Sequence, residues 1–196
     1  LKNTIAFISF IIFFLFLDVP LWYYDFDMAD YITILISGVL GMGFADILFI
    51  FALSKIGANR IAIINCFEPT VIYLFSILIL GTFLNVQQLL GFFIVIFSIL
   101  IISYEKDFDD IDSLVKKKGI LLQITAVFLS SFGIVIIKPI LSTINFSIEM
   151  QLWVTAFRLF PGLIVAWIVF LFQKNKFILL MPLKKPNLLW KIIISS

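Results

Sequence analysis

Between Tyr31 and Ser103 the chain carries three long apolar stretches parted by only a few polar residues: Tyr31–Ser54, Ile61–Gly81 and about Val86–Ser103. The joints between them, "KIGANR" and "TFLNV", are short. A briefer run, Thr4–Leu17, comes before. Two more follow at Ile120–Leu141 and about Leu152–Phe172, and a last one opens near Leu188. A bilayer core takes a helix of roughly 20 apolar residues. An open strand in lipid would leave its backbone unpaired, so each run is expected to be a helix. The pattern predicts an all-α polytopic membrane protein.

Two runs hold a carboxylate: Asp46 lies in the first of the three stretches and Glu68 in the second. A charge at membrane depth is costly and is therefore usually paired or functional. Composition agrees with lipid as the main solvent. The chain is 63% hydrophobic and 13% charged, with a mean hydropathy of +1.19, against roughly half and a quarter for a soluble domain. The 24 phenylalanines carry no functional assignment.

A net charge of +2 in short clusters between apolar runs is a membrane-topology pattern and excludes nucleic-acid binding as an expectation. The absence of histidine removes His-based metal sites, Ser-His-Asp triads and His proton relays together. The single cysteine, Cys66, allows no internal disulfide and reads as a small packing residue. Six runs and a stub, beginning at Leu1 and ending at Ser196, read as the middle of something longer. No signal-peptide cleavage site follows the first run.

Sidedness is legible in the charges. With the runs counted as above, Lys2, Lys55, Arg60, Lys106, Lys116–Lys118, Lys174, Lys176, Lys184, Lys185 and Lys191 fall on one side. The opposite loops carry Asp18, Asp25, Asp27, Asp30 and Glu149, with no Lys or Arg. The positive-inside rule puts the basic side in the cytoplasm. Trp22, Tyr23 and Tyr24 read as an interfacial aromatic belt. The polar stretch Tyr104–Gly119 is the expected linker.

The candidate substrate- or ion-binding residues are Asp46, Asn65, Glu68, Lys138 and Arg158, with Pro69 as a helix kink. Asp46 stands about mid-run, near Gly38, Gly41 and Gly43. Those glycines serve either a helix-packing face or a close backbone approach to a substrate. Glu68 is followed by Pro69, which frees a main-chain carbonyl. With Asn65 this makes a polar spot of the kind found at broken transporter helices; the alternative is a place near the membrane surface. Lys138 precedes Pro139 and either joins a site or snorkels to the interface. Arg158 pairs with a carboxylate, binds an anion or anchors at the interface. Gln123 is placed to hydrogen-bond between helices. No phosphate loop, zinc motif or nucleophile elbow is present.

The segment "ADILFIFALSKIGANRIAIINCFEPTVIYLFSILILGTFLNVQQLLGFFIVIFSILIIS" resembles the end of an EamA repeat of the drug/metabolite transporter superfamily. The marks are Ala52-Leu53 before a short connection, Glu68-Pro69 in the next helix, and Leu89-Leu90-Gly91 after a tight turn. "GILLQITAVFLSSFGIVIIKPIL" and "LWVTAFRLFPGLIVAWIVF" resemble the first two helices of a second repeat. Lys138 and Arg158 then stand at the family's lysine and arginine positions, and Phe132-Gly133 stands where Trp-Gly is usual.

The resemblance implies ten helices in two inverted five-helix repeats around a central cavity. Residues 1–104 would be the last four helices of the first repeat, 105–118 a linker, and 119–196 the start of the second. It also implies an amino terminus inside, which would make the loop after the second helix basic. Here that loop is acidic, so local charge is followed for sidedness and the resemblance for fold.

These readings converge on a secondary transporter or exporter of small metabolites or drugs, multi-pass in the cytoplasmic membrane, working by alternating access. No enzyme activity, metal or cofactor is expected. The expected partners are a small-molecule substrate and the lipid bilayer, with a homodimer left open and no nucleic acid. The rivals are a polytopic membrane enzyme acting on lipid-linked substrates and a non-transporting membrane subunit.

Overall fold

The structure is a computed structural model that describes residues 2–16, 26–83, 85–103, 112–143 and 148–173. Among the described residues the regular structure is entirely helical: α1 (Lys2–Phe16), α2 (Met28–Gly38), a π-helical turn (Val39–Phe44), α3 (Ala45–Asn65), α4 (Glu68–Leu80), α5 (Val86–Ser103), α6 (Ser113–Thr143) and α7 (Ile148–Phe172). The aromatic belt expected at 22–24 and the run expected from 188 lie outside the described residues.

Local polar chemistry sets several helix ends. The main-chain N–H of Asp27 donates to Asp30 Oδ2 at 3.3 Å ahead of α2. The N–H of Asn85 likewise donates to Gln88 Oε1 at 3.0 Å before α5, one half of a capping box. Gly81, in the left-handed region, ends α4, and Thr82 N–H closes back on the Ser76 carbonyl at 3.3 Å.

The helix α6 starts earlier than the hydropathy pattern suggests. Residues 113–118, expected as linker, are its first turns. Asp112 accepts a hydrogen bond from the Leu114 N–H at 3.2 Å, and the following "LVKK" contains no helix breaker. Polarity alone therefore misplaced this boundary.

The expected connection "KIGANR" is helical on both sides of one residue. The stretch Met28–Asn65 is apolar and 38 residues long. A straight helix of that length would reach about 57 Å, almost twice the hydrocarbon thickness. Gly57 interrupts it, with φ 77° and ψ 169°, a backbone region that only glycine occupies without strain. No other atom lies within 4 Å of where a Gly57 Cβ would stand, so the constraint is purely conformational. Gly57→Ala is therefore expected to cost about 1–3 kcal/mol, read as a lower melting temperature of the purified protein in detergent. An unchanged melting temperature would show that the turn is made differently.

The helices divide into two compact units, 1–43 with 139–196, and 44–138. In the first, α1 and α2 pack on α7. Phe14, Tyr31, Ile34, Ile140, Trp153, Val154 and Ala156 form its core. Trp153 stacks between Phe157 (4.8 Å, 13°) and Phe26 (5.5 Å, 14°). Tyr31 meets the Trp153 ring edge-on at 5.9 Å. Trp167 Nε1 donates to Thr4 Oγ1 at 3.2 Å, tying α7 to α1.

In the second unit Ala52, Ile56 and Ile61 form a core joined by Ile120 and Leu122. Phe132, which stands where the resembled pattern has tryptophan, packs edge-on against Phe75 of α4 at 5.6 Å. The outward faces are rich in exposed Phe, Ile and Leu, as on Leu90, Phe93 and Ile94 of α5. Three helical stretches, Met28–Asn65, Ser113–Ser142 and Glu149–Phe172, are long and apolar enough to cross a membrane.

Candidate functional site

The polar residues of the second unit meet where α3 gives way to α4. After Asn65 the chain stays in the right-handed region through Cys66 and Phe67. Its hydrogen bonds tighten there: Cys66 N–H reaches the Ala62 carbonyl, and Phe67 N–H reaches only three residues back, to Ile64. The discontinuity thus lies at Cys66–Phe67. Pro69, expected inside a helix, stands in the first turn of α4, where proline is tolerated. It offers no N–H to the Asn65 carbonyl four residues earlier. Cys66 is exposed at this joint rather than packed within a helix.

This joint faces α6. Gln123 Nε2 donates to Asn65 Oδ1 at 2.5 Å. Ser130 Oγ donates to Glu68 Oε1 at 2.7 Å. Gln123 and Ser130 are seven residues apart, two turns on one helix face, so α6 offers a polar stripe to the two residues flanking the joint. Gln123 is 1% exposed, and its Oε1 has no hydrogen-bond partner. Neither do the buried hydroxyls of Ser131 and Thr70. Polar atoms without partners in an apolar interior are costly, and native structures hold few of them.

Asp46 sits half-buried in the first turn of α3, directly after the π-helical turn Val39–Phe44. Such turns are frequent at functional sites. Lys138 is exposed on α6. In the first unit Arg158 is 8% exposed on α7, and its Nε has no hydrogen-bond partner. Its side chain is enclosed within the helix packing.

The glycines near Asp46 divide the same way. A Cβ on Gly38 would overlap the Arg158 carbonyl oxygen and lie 2.7 Å from Pro161 Cγ, and one on Gly43 would lie 3.0 Å from Val165 Cβ. Gly38 and Gly43 thus form a close packing seam with α7, joined from the other side by Gly162 against Met42.

The geometry brings together Asn65, Glu68 and Gln123 from the sequence candidates. It adds Ser130, which sequence reasoning missed. The available signal was the seven-residue spacing of Gln123 and Ser130 in an otherwise apolar stretch.

Residues 2–104, more than half of the chain, match the model of the EamA-like transporter family. The chain belongs to the EamA-like transporter family. No curated protein and no solved structure matches it. Family and apolar helices together make it a multi-pass membrane protein of a family of small-molecule transporters. In this EamA-like protein the polar joint Asn65–Glu68 falls inside the family-matched region, while its α6 partners lie beyond residue 104.

Proposed function

We propose that the protein works as a secondary transporter or exporter of small metabolites in the cytoplasmic membrane, by alternating access, and is not an enzyme. The observation that carries the reading is a hydrogen-bonded polar cluster on apolar helices, Asn65–Gln123 and Glu68–Ser130, in a chain of a transporter family. A substrate crossing the membrane needs polar partners on its way, and a carboxylate on an apolar helix can supply one.

On this reading Asp46, Asn65, Glu68 and Lys138, all in the second unit, line the substrate path, each contributing a charge or a hydrogen bond. Residues 1–104 contribute four helices of one repeat, and 119–196 open the next. The basic loops face the cytoplasm, because the acidic ones carry no Lys or Arg.

A whole-cell flux and growth-protection screen on the full-length gene tests this, with Glu68→Gln as control. Substrate-specific efflux that the variant loses is the expected result. Correctly inserted protein that moves no metabolite would overturn the transporter reading. Water-accessibility mapping at positions 46 and 68 adds an independent check, since a path predicts access from either side of the membrane and an enzyme or subunit does not.

A further inference from the structure

Where the later part of α3 meets the opening of α6, the second unit gathers cations. Gly119 of α6 lies so close to α3 that a Cβ there would overlap Ile56 Cγ2 and stand 3.1 Å from Lys55 Cβ. The side chain of Lys55 therefore starts beside the turn that carries Lys116, Lys117 and Lys118. Arg60 belongs to the same place, since its Nη1 donates to the Ile56 carbonyl at 3.3 Å. Lys117 and Lys118 are exposed, while Lys55, Arg60 and Lys116 are half-buried. Asp112, the acidic residue just ahead of α6, accepts the Leu114 N–H on Oδ1.

Both helices reach the edge of their apolar stretches here, at the level of a membrane interface. The stretch Tyr31–Ser54 ends next to Lys55, and Ile120–Leu141 begins just after Lys118 and Gly119. The outward face of α6 is not simply polar at this level. Leu114 and Leu121 are each 66% exposed. They are two turns apart on one face, with Lys117 and Lys118 between them. Leucines on either side of ammonium groups suit lipid, where the leucines enter the acyl region and the lysine heads reach the phosphate level. Water alone would leave both leucines solvated at a cost. The opening of α6 carries the three lysines and no acidic residue in its first turn, whereas a helix dipole favours anions at that end.

We propose that Lys55, Arg60 and Lys116–Lys118 form a docking site for the headgroup of an anionic phospholipid, with Leu114 and Leu121 against its acyl chains. Charge complementarity selects this occupant. A zwitterionic headgroup brings its own ammonium group into a cluster of cations, whereas an anionic one brings net negative charge. Lys55 and the α6 lysines come from separate helices, so a bound headgroup bridges α3 and α6 at the interface. The site does not depend on what the protein transports.

The test is native mass spectrometry of the purified full-length protein equilibrated with equal amounts of phosphatidylglycerol and phosphatidylcholine of matched chains. The parent is expected to carry phosphatidylglycerol adducts in at least about tenfold excess. Replacing Lys55, Lys117 and Lys118 together by Gln should abolish that preference, since it removes three charges and leaves the apolar contacts. Replacing Lys174 and Lys176 by Gln, which neutralises basic residues elsewhere in the chain, should leave it unchanged. The site is overturned if the parent shows no preference, if the triple variant keeps it, or if the Lys174/Lys176 variant loses it equally. A variant with Asp107, Asp109 and Asp110 replaced by Asn tests the other source of negative charge, the acidic stretch before α6. A preference that appears only in that variant would mean that the chain's own carboxylates occupy the lysines, which also overturns the lipid site.

Discussion

Gly38→Ala is expected to destabilise the first unit by about 3 kcal/mol, the upper end of what overpacked cores show. A methyl group at Gly38 would overlap the carbonyl oxygen of Arg158, a main-chain atom that cannot rotate away. Relief requires α2 to move off α7, and the seam continues through Met42 against Gly162 and Gly43 against Val165. One added carbon therefore loosens several turns of contact, where dispersion and close backbone approach hold apolar helices together in lipid. Gly91→Ala on α5 is the matched control. Nothing lies within 4 Å of a Cβ there, and alanine is the better helix former by about 1 kcal/mol. Thermal unfolding in detergent, followed by size-exclusion chromatography, should show a clear loss for Gly38→Ala and none for Gly91→Ala. Equal curves would mean that the two helices do not cross this closely.

Glu68→Gln is expected to lower the initial rate of substrate flux by tenfold or more, on the scale of about 1.5–3 kcal/mol for a hydrogen bond to a charged group. The glutamine keeps the size and an acceptor for Ser130 but removes the charge. Ser130→Ala removes the donor and keeps the charge, so a smaller loss of a few-fold is expected. The order of the two variants is the informative result, measured at matched membrane expression. If Ser130→Ala proves the more damaging, the hydroxyl contributes more to transport than the carboxylate, and the role given to Glu68 falls. If neither variant changes flux, the cluster is a structural joint.

The membrane architecture was readable because it depends on one-dimensional quantities. Run lengths and the cost of unpaired backbone in lipid give the helices, and α5 (Val86–Ser103) falls on the predicted boundaries. The short order of motifs around Ala52, Glu68-Pro69 and Leu89-Leu90-Gly91 was enough to indicate the family. Caps were harder to foresee. A charged stretch such as "SLVKKK" reads as a loop by polarity, yet Asp112 and good helix formers make it the opening of α6.

The site was legible only in part, for a related reason. A carboxylate within an apolar run announces itself, because its solvation cost is intrinsic to the residue. Serines and threonines do not, since they are cheap enough to occur in any membrane helix and gain meaning only from what they face. Ser130 became part of the site when α6 brought it to 2.7 Å from Glu68, across 62 positions of chain.

By itself the sequence determined that the chain is helical and apolar, where its polar groups lie along the helices, and which family it belongs to, because periodicity, hydropathy and local motif order need no three-dimensional neighbours. Tertiary structure decided the rest. It showed that Gly38 and Gly43 serve packing, that Gly57 carries the turn, that Gln123 and Ser130 are the partners of Asn65 and Glu68, and that Arg158 is enclosed. Each of these depends on which atoms approach within a few ångströms, and that distance is set by helix crossing rather than by the order of residues.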